Sequence, residues 1–427
     1  MANCQKLVVN GGRRLEGELR VHGAKNSALP LLAACVLAHG ECVLHNCPEL
    51  TDVDAACRIL SCLGCRCTRS GDTVCVDASN VCGNEIPDNL MREMRSSIVF
   101  LGAVLGRTRR CKLTFPGGCE LGARPIDLHL AALRDMGVTI SEEHGWLECT
   151  AAGGIRGGSV TLSFPSVGAT ENIMLAAVTA SGRTEIHNAA REPEIIDLAE
   201  FLVKCGAKIT GAGGSTICVE GVSRLSPAEH TVIPDRIVAG TYLCAAAMTR
   251  GELILTRCEP SHMTGFLPVL ESMGCRIYPY GGGKPYVNFP RRLNAPPTIR
   301  TMPYPGFPTD IQALFTAVCS AAEGTAVFVE TIFENRYRHI PELIRLGASI
   351  KVEGRVAVVQ GVEQLSGAKL CAGELRGGAA LVTAALAAEG TSEITGVGYI
   401  DRGYESIEKA LRSVGADISR VGQQSRN

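Results

Sequence analysis

Apolar positions along the chain fall into two recurring patterns. In "IIDLAEFLVKCGAKI" (residues 195–209) and "GYESIEKALRSVGADI" (residues 403–418) they return at helical spacing between charged residues, and each run closes on Leu-x-x-x-Gly. The same closure occurs at Leu60/Gly64, Leu133/Gly137, Leu202/Gly206, Leu270/Gly274, Leu343/Gly347 and Leu411/Gly415, at glycine intervals of 73, 69, 68, 73 and 68 residues. A glycine there suits the left-handed position that ends a helix. A short β-rich run follows each one. Upstream in most units lies a second kind of helix, as in "ATENIMLAAVTASG", "IQALFTAVCSAAEG" and "RGGAALVTAALAAEG". These are small-residue helices, apolar nearly all round, and so belong at the centre of a domain rather than on its surface.

Each unit thus reads strand, helix, strand, helix, strands, and six units predict an α/β protein of two similar lobes with three units apiece. Units near 70 residues are larger than the usual stacking repeats, which argues against a solenoid. The apolar pattern breaks at "SRLSPAEHTVIPDR", residues 223–236. The strand "KLVVNGG" precedes the first complete unit and is expected to join the second lobe, so that the chain crosses twice between lobes.

Composition narrows the function. A chain of 427 residues can bury two cores, and a formal net charge of −1 offers no general attraction to nucleic acid or an acidic membrane surface. The best apolar run, "SALPLLAACVLA", is shorter than the roughly 20 residues that span a bilayer, and the first ten residues lack a signal-peptide core. A cytoplasmic protein without membrane insertion is expected. The 20 cysteines are scattered through apolar segments, where a reduced thiol serves as a small hydrophobe. Cys57, Cys62, Cys65 and Cys67 lack the second Cys or His pair of a tetrahedral metal site, so no metal is expected there.

Candidate chemistry sits at helix starts. "VHGAKNSALPLLAA" puts Lys25, and Asn26 as N-cap, ahead of an apolar helix, where unpaired N–H groups and an ammonium make an anion pocket. "PGGCELGARPIDLH" sets Cys119 among Gly117, Gly118 and Gly122, with Arg124 to favour its thiolate, Pro125 at the first helical position and Asp127 in the first turn. "YPGFPTDIQALF" places Asp310 as the N-cap of a buried helix. "FENRYRHIPEL", "ELRGGAALV" and "YIDRGYESIE" put Arg336, Arg376 and Arg402 at equivalent transitions, suggesting guanidinium groups that converge on a polyanion. The Lys284-Pro pair in "GGGKPY" excludes a phosphate loop, and no H-E-x-x-H occurs.

These segments together resemble the enolpyruvyl transferases over essentially the whole chain, adding "PSVGATENIM" to the passages already quoted. The resemblance implies an inside-out α/β barrel in each lobe, with lobe 1 at 22–232, lobe 2 at 1–21 and 233–427, and a double-stranded hinge. It implies transfer of the enolpyruvyl group of phosphoenolpyruvate to the 3′-hydroxyl of UDP-N-acetylglucosamine, which opens peptidoglycan synthesis, with small-molecule substrates and no cofactor. Lys25, Arg124 and Arg402 would hold the phosphate of phosphoenolpyruvate, and Arg336 and Arg376 its carboxylate, beside Asn26. Cys119 would be proton donor or covalent partner, open to alkylation by a phosphonate epoxide such as fosfomycin. Asp310 would take or orient the hydroxyl proton. Asn26, Arg95, Arg124, Pro125, Ile126, Asp127, Leu128, Ser166, Val167, Gly168, Asp310 and Ile332 would contact the sugar nucleotide. Glu374 stands where the family pattern has Asp, Thr51 replaces a frequent basic or polar residue, and Val99 takes a place where some members have Trp. Two rivals are a 5-enolpyruvylshikimate-3-phosphate synthase, which lacks the Cys-bearing loop, and a silent two-lobed binding protein, to which a cluster of cations would be a cost.

Overall fold

The computed structural model describes residues 5–116, 126–281 and 284–422. Cys119, Arg124 and Pro125, with the glycines around the thiol, lie outside those residues. The chain forms two compact units, passing from one to the other between His22 and Gly23 and returning between Ile233 and Pro234. Of the described residues, 23–116 and 126–233 supply the first unit, while the second combines 5–22 with those after Ile233.

The Leu-x-x-x-Gly signature has one physical meaning at all six places. Gly64, Gly137, Gly206, Gly274, Gly347 and Gly415 have φ between 84° and 108°. The N–H after each glycine bonds back to the carbonyl of the leucine, as in Ala207 N–H to Leu202 O at 2.9 Å, and the glycine N–H bonds three residues back, as in Gly206 to Val203 at 2.9 Å. This paired closure satisfies the last carbonyls and turns the chain into a strand. All six leucines are buried, so each closure also seats a core residue.

The small-residue helices are central. Arg236–Met248 is buried at every position, Thr309–Ala321 from Ile311 to Ser320 and Leu375–Ala387 from Arg376 to Leu386, and the three pack on one another in the second unit. In the first unit Phe100–Thr108 lies against Val167–Ala177 so closely that a Cβ on Gly102 would stand 2.2 Å from the Asn172 carbonyl oxygen. Only glycine permits that approach. Lys25–Cys35 packs against Thr51–Cys62 and Pro193–Lys204.

Five four-stranded sheets share one order: a leading strand, of three residues in four sheets and five in the other, runs parallel to a five-residue strand, which continues into two antiparallel neighbours. A sixth sheet, formed by Arg110–Thr114, Trp146–Thr150 and Thr139–Glu143, has a single parallel bridge, Glu85 to Lys112, in place of the first strand. In three sheets the leading strand pairs within its own repeat. In two it does not: Glu16–Arg20, which leads into the Lys25 helix, pairs with Glu252–Thr256, and Glu229–Thr231, which leads into the Arg236 helix, pairs with Glu41–His45. This exchange of leading strands is what sends the chain across twice. Lys6–Asn10 lies between Thr391–Thr395 and Asp417–Val421, so the N-terminal strand completes the last repeat. Each unit has its own hydrophobic core, and the two share no residue. Among the described residues no helix is long and apolar enough to cross a membrane, and no group of His, Cys, Asp and Glu is placed to hold a metal ion.

Candidate functional site

In the second unit, two helix starts and a 3-10 turn bring charges together. The N-cap of Thr309–Ala321 is the extended Pro308, not Asp310, because the proline fixes φ at −75° just before the helix. Asp310 is thereby the second helical residue, and its carboxylate turns to the guanidinium groups. Oδ1 accepts from Arg376 Nε at 3.2 Å and from Arg336 Nη2 at 3.4 Å. Arg336, 1% exposed, also donates twice to the Thr309 carbonyl, at 3.1 and 2.7 Å. Burial works to raise the Asp310 pKa, but Arg376, Arg336 and Arg236 outweigh it and hold the carboxyl well below the usual range. Arg376 is itself buried, and the Asp310 charge and the neighbouring Tyr404 keep it firmly protonated against that burial. Its Nη1 is buried with no hydrogen-bond partner among the described residues, a donor available to an anion.

Supporting residues fix this cluster. The buried Glu330 accepts from the Thr309 hydroxyl at 3.0 Å and from the backbone of Ile332 and Phe333 at 2.8 and 3.0 Å, which sets the turn carrying Ile332. Glu374 caps Leu375–Ala387, accepting from the Arg376 N–H at 2.8 Å and from Gly377 N–H, so Glu in place of Asp still makes the cap. Arg402 is half-buried in the turn after Val397–Ile400, and that segment reaches Arg376 through Tyr404. His339 touches the Arg336 carbonyl through Nδ1 at 3.2 Å, and burial above all lowers its pKa to about 4, so it is neutral at pH 7.

The first unit gathers a second set. Lys25 begins its helix behind Ala24, so Asn26 is the second helical residue and not the N-cap. Lys25 is buried and its Nζ pairs with Asp52 at 3.1 Å, which Thr51–Cys62 presents from its first turn. Thr51 is the exposed first residue of that helix, and Val99 is buried at the end of the Arg95–Val99 turn.

Asn172 joins the remaining segments. It accepts from the Gly102 N–H at 2.6 Å and donates to the Ile98 carbonyl at 2.9 Å and to His129 Nδ1 at 2.8 Å. His129 belongs to Asp127–Asp135, whose N-cap is Ile126; the first helical position is therefore Asp127, where Pro125 was expected. Gly168 lies over the His129 ring, Ser166 caps the next helix by accepting from Ala169 N–H at 3.3 Å, and the Arg95 charge acts on His129. Arg95, the 126–128 turn and the 166–168 turn thus meet around one buried pair. Burial and then Arg95 lower His129 to about 4. Glu171, buried beside Glu194 and Glu192, is pushed well above the carboxylate range by its burial and their charge.

Glu330, Asp52, Asn172 and His129 were not singled out from the sequence. Their only signal was proximity to quoted motifs, because each has a partner 21 or more positions away in the chain.

Two lobes of repeated units with buried central helices, and anion donors at helix starts, define an enolpyruvyl transferase. Residues 9–411 match the family described as EPSP synthase (3-phosphoshikimate 1-carboxyvinyltransferase), and the chain belongs to that family of transferases. Within it, the chain is similar to a UDP-N-acetylglucosamine 1-carboxyvinyltransferase 2 from Caldanaerobacter subterraneus subsp. tengcongensis, 54% identical over 97% of this chain and 99% of that one. A UDP-N-acetylglucosamine 1-carboxyvinyltransferase 1 from Symbiobacterium thermophilum is 49% identical over 98% and 95%. Among solved structures, the enolpyruvyl transferase NikO from Streptomyces tendae superposes with a TM-score of 0.88 at 26% identity, covering 98% of this chain and 99% of that one. EPSP synthase from Acinetobacter baumannii shares the fold, with a TM-score of 0.76 at 18% identity over 98% and 99%.

Proposed function

We propose that the protein transfers the enolpyruvyl group of phosphoenolpyruvate to the 3′-hydroxyl of UDP-N-acetylglucosamine, releasing phosphate, as the cytosolic first committed step of peptidoglycan synthesis. The observation that carries this reading is the Asp310 carboxylate held between Arg336 and Arg376, with a buried donor on Arg376 that has no partner among the described residues. The hydroxyl oxygen bonds to C2 of phosphoenolpyruvate while C3 gains a proton. Loss of phosphate from C2, with loss of a proton from C3, then restores the double bond as the enolpyruvyl ether.

Arg336 and Arg376 hold the carboxylate, and Lys25, Arg124 and Arg402 the phosphate, with Asn26 beside them. Each charge-assisted bond is worth about 1.5 to 3 kcal/mol, or roughly 10- to 150-fold in binding. Asp310 receives or orients the hydroxyl proton, and Cys119 serves as proton donor or covalent partner. Arg95, the turns at 126–128 and 166–168 and the turn at Ile332 take the sugar nucleotide.

The test is phosphate release from phosphoenolpyruvate with UDP-N-acetylglucosamine or with shikimate 3-phosphate, for the native protein and Cys119→Ser. Release with the sugar nucleotide alone is expected. Release with shikimate 3-phosphate would reassign the acceptor, and release with neither would leave a binding protein.

A further inference from the structure

Another buried carboxylate of the first unit has no part in the reaction as proposed. Asp197, 1% exposed on Pro193–Lys204, lies among Ser27 (0%) and His230 (4%). Its Oδ2 accepts from the Ser27 hydroxyl and from the Ile233 N–H at 3.4 Å, and its Oδ1 faces His230 Nε2 at 2.7 Å. Lys204 Nζ stands 2.9 Å from the other ring nitrogen, Nδ1. An ammonium only donates, so Nδ1 accepts, and the ring proton sits on Nε2 and points at Asp197. The Phe201 ring packs on His230 at 5.7 Å between centroids. Because the carboxylate stands between serine and imidazole, the histidine cannot take the serine proton, and the set is no nucleophile.

What it does instead follows from where Ser27 stands. The helix that begins at Lys25 has Ala24 as N-cap, with no side chain to satisfy its first turn. The Ala24 N–H bonds the Ile233 carbonyl at 2.7 Å, the Ile233 N–H bonds Asp197, and the Ser27 hydroxyl bonds the same oxygen. The negative charge also favours the helix start. We infer that Asp197, held by His230, is a positioning residue that ties Ser27, in the first turn of this helix, to Ile233 and so fixes the turn presenting Lys25 and Asn26. Its consequence for catalysis rests on the reading that Lys25 holds the phosphate of phosphoenolpyruvate.

The experiment has two readouts on the full chain, with Asp197→Asn and the milder Ser27→Ala. Hydrogen exchange by mass spectrometry should show faster exchange in the peptide covering residues 24–35 and no change in the helix Arg236–Met248. Unchanged exchange in the first peptide would overturn the inference whatever the reaction is. In kinetics, each variant should raise KM for phosphoenolpyruvate about 10-fold, as for one lost bond to a charged group, and by less than about 3-fold in a Lys25→Met background. An undiminished effect in that background would mean that Asp197 does not act through Lys25. If Lys25→Met alone leaves KM for phosphoenolpyruvate unchanged, the assignment of Lys25 fails, and the exchange measurement still decides the role of Asp197.

Discussion

Asp310 is held ionised by the same guanidinium groups that are assigned to the substrate carboxylate. A carboxyl kept so far down is a poor base until something relieves its neighbours. Binding of an anion to Arg336 and Arg376 does so, both by drawing off the guanidinium charge and by adding a negative one. The acid limb of kcat should therefore lie at higher pH than that of kcat/KM, measured from pH 4 to 8; coincident limbs would remove Asp310 as the base. His129 and His339 make a second prediction. Both are neutral in the fold down to about pH 4, whereas an unfolded histidine takes up a proton near pH 6.5. Between those values the unfolded chain binds more protons, so stability falls as pH falls, by about 1.4 kcal/mol per pH unit for each histidine, and is unaffected by them above pH 6.5. Urea unfolding at pH 5 and 7.5 should show that His339→Gln flattens this dependence. At this scale the sequence exposed Lys25, Asp310, Arg336 and Arg376, because each stands in a local motif at a helix start. Asp197 and Glu330 were illegible, since their partners lie as far as 170 and 21 positions away.

Glycine does two different jobs in the helices. At Gly206 a Cβ would meet nothing within 4 Å, so its φ of 101° alone sets the cost of a side chain. Gly206→Ala should destabilise by about 1 to 2 kcal/mol. At Gly102 the added carbon would strike the Asn172 carbonyl and disturb the amide that ties Gly102, Ile98 and His129 together. Gly102→Ala should cost about 3 kcal/mol or more. Urea midpoints compare the two, and equal losses would contradict this division. The first kind of glycine was legible as a repeat because its chemistry is local: one leucine, one turn, one left-handed residue. The second was not, since nothing near "VFLGAVLG" tells which helix will approach. Strand pairing was hidden for the same reason, as with Glu229–Thr231, whose partner Glu41–His45 lies nearly half the chain away.

Two cores with no residue in common should melt as two systems. Calorimetry of the free protein is expected to resolve two transitions, or one whose van't Hoff enthalpy falls below the calorimetric value; a strict two-state melt would contradict it. The period of the repeats made two lobes readable, yet the exchange of leading strands was not, because a strand of three or five residues is too short for its sequence to name its partner. The place of Lys6–Asn10 between Thr391–Thr395 and Asp417–Val421 has its own consequence for birth on the ribosome. The 23–233 unit has all its strands once residue 231 has emerged, and it can settle while translation continues. The other unit must hold its opening strand unmatched until its closing one is made, on the order of ten seconds or more later at ordinary elongation rates. The part of the protein that is started first is thus completed last, and for that interval a bare strand edge depends on the cell's chaperones rather than on its own sheet.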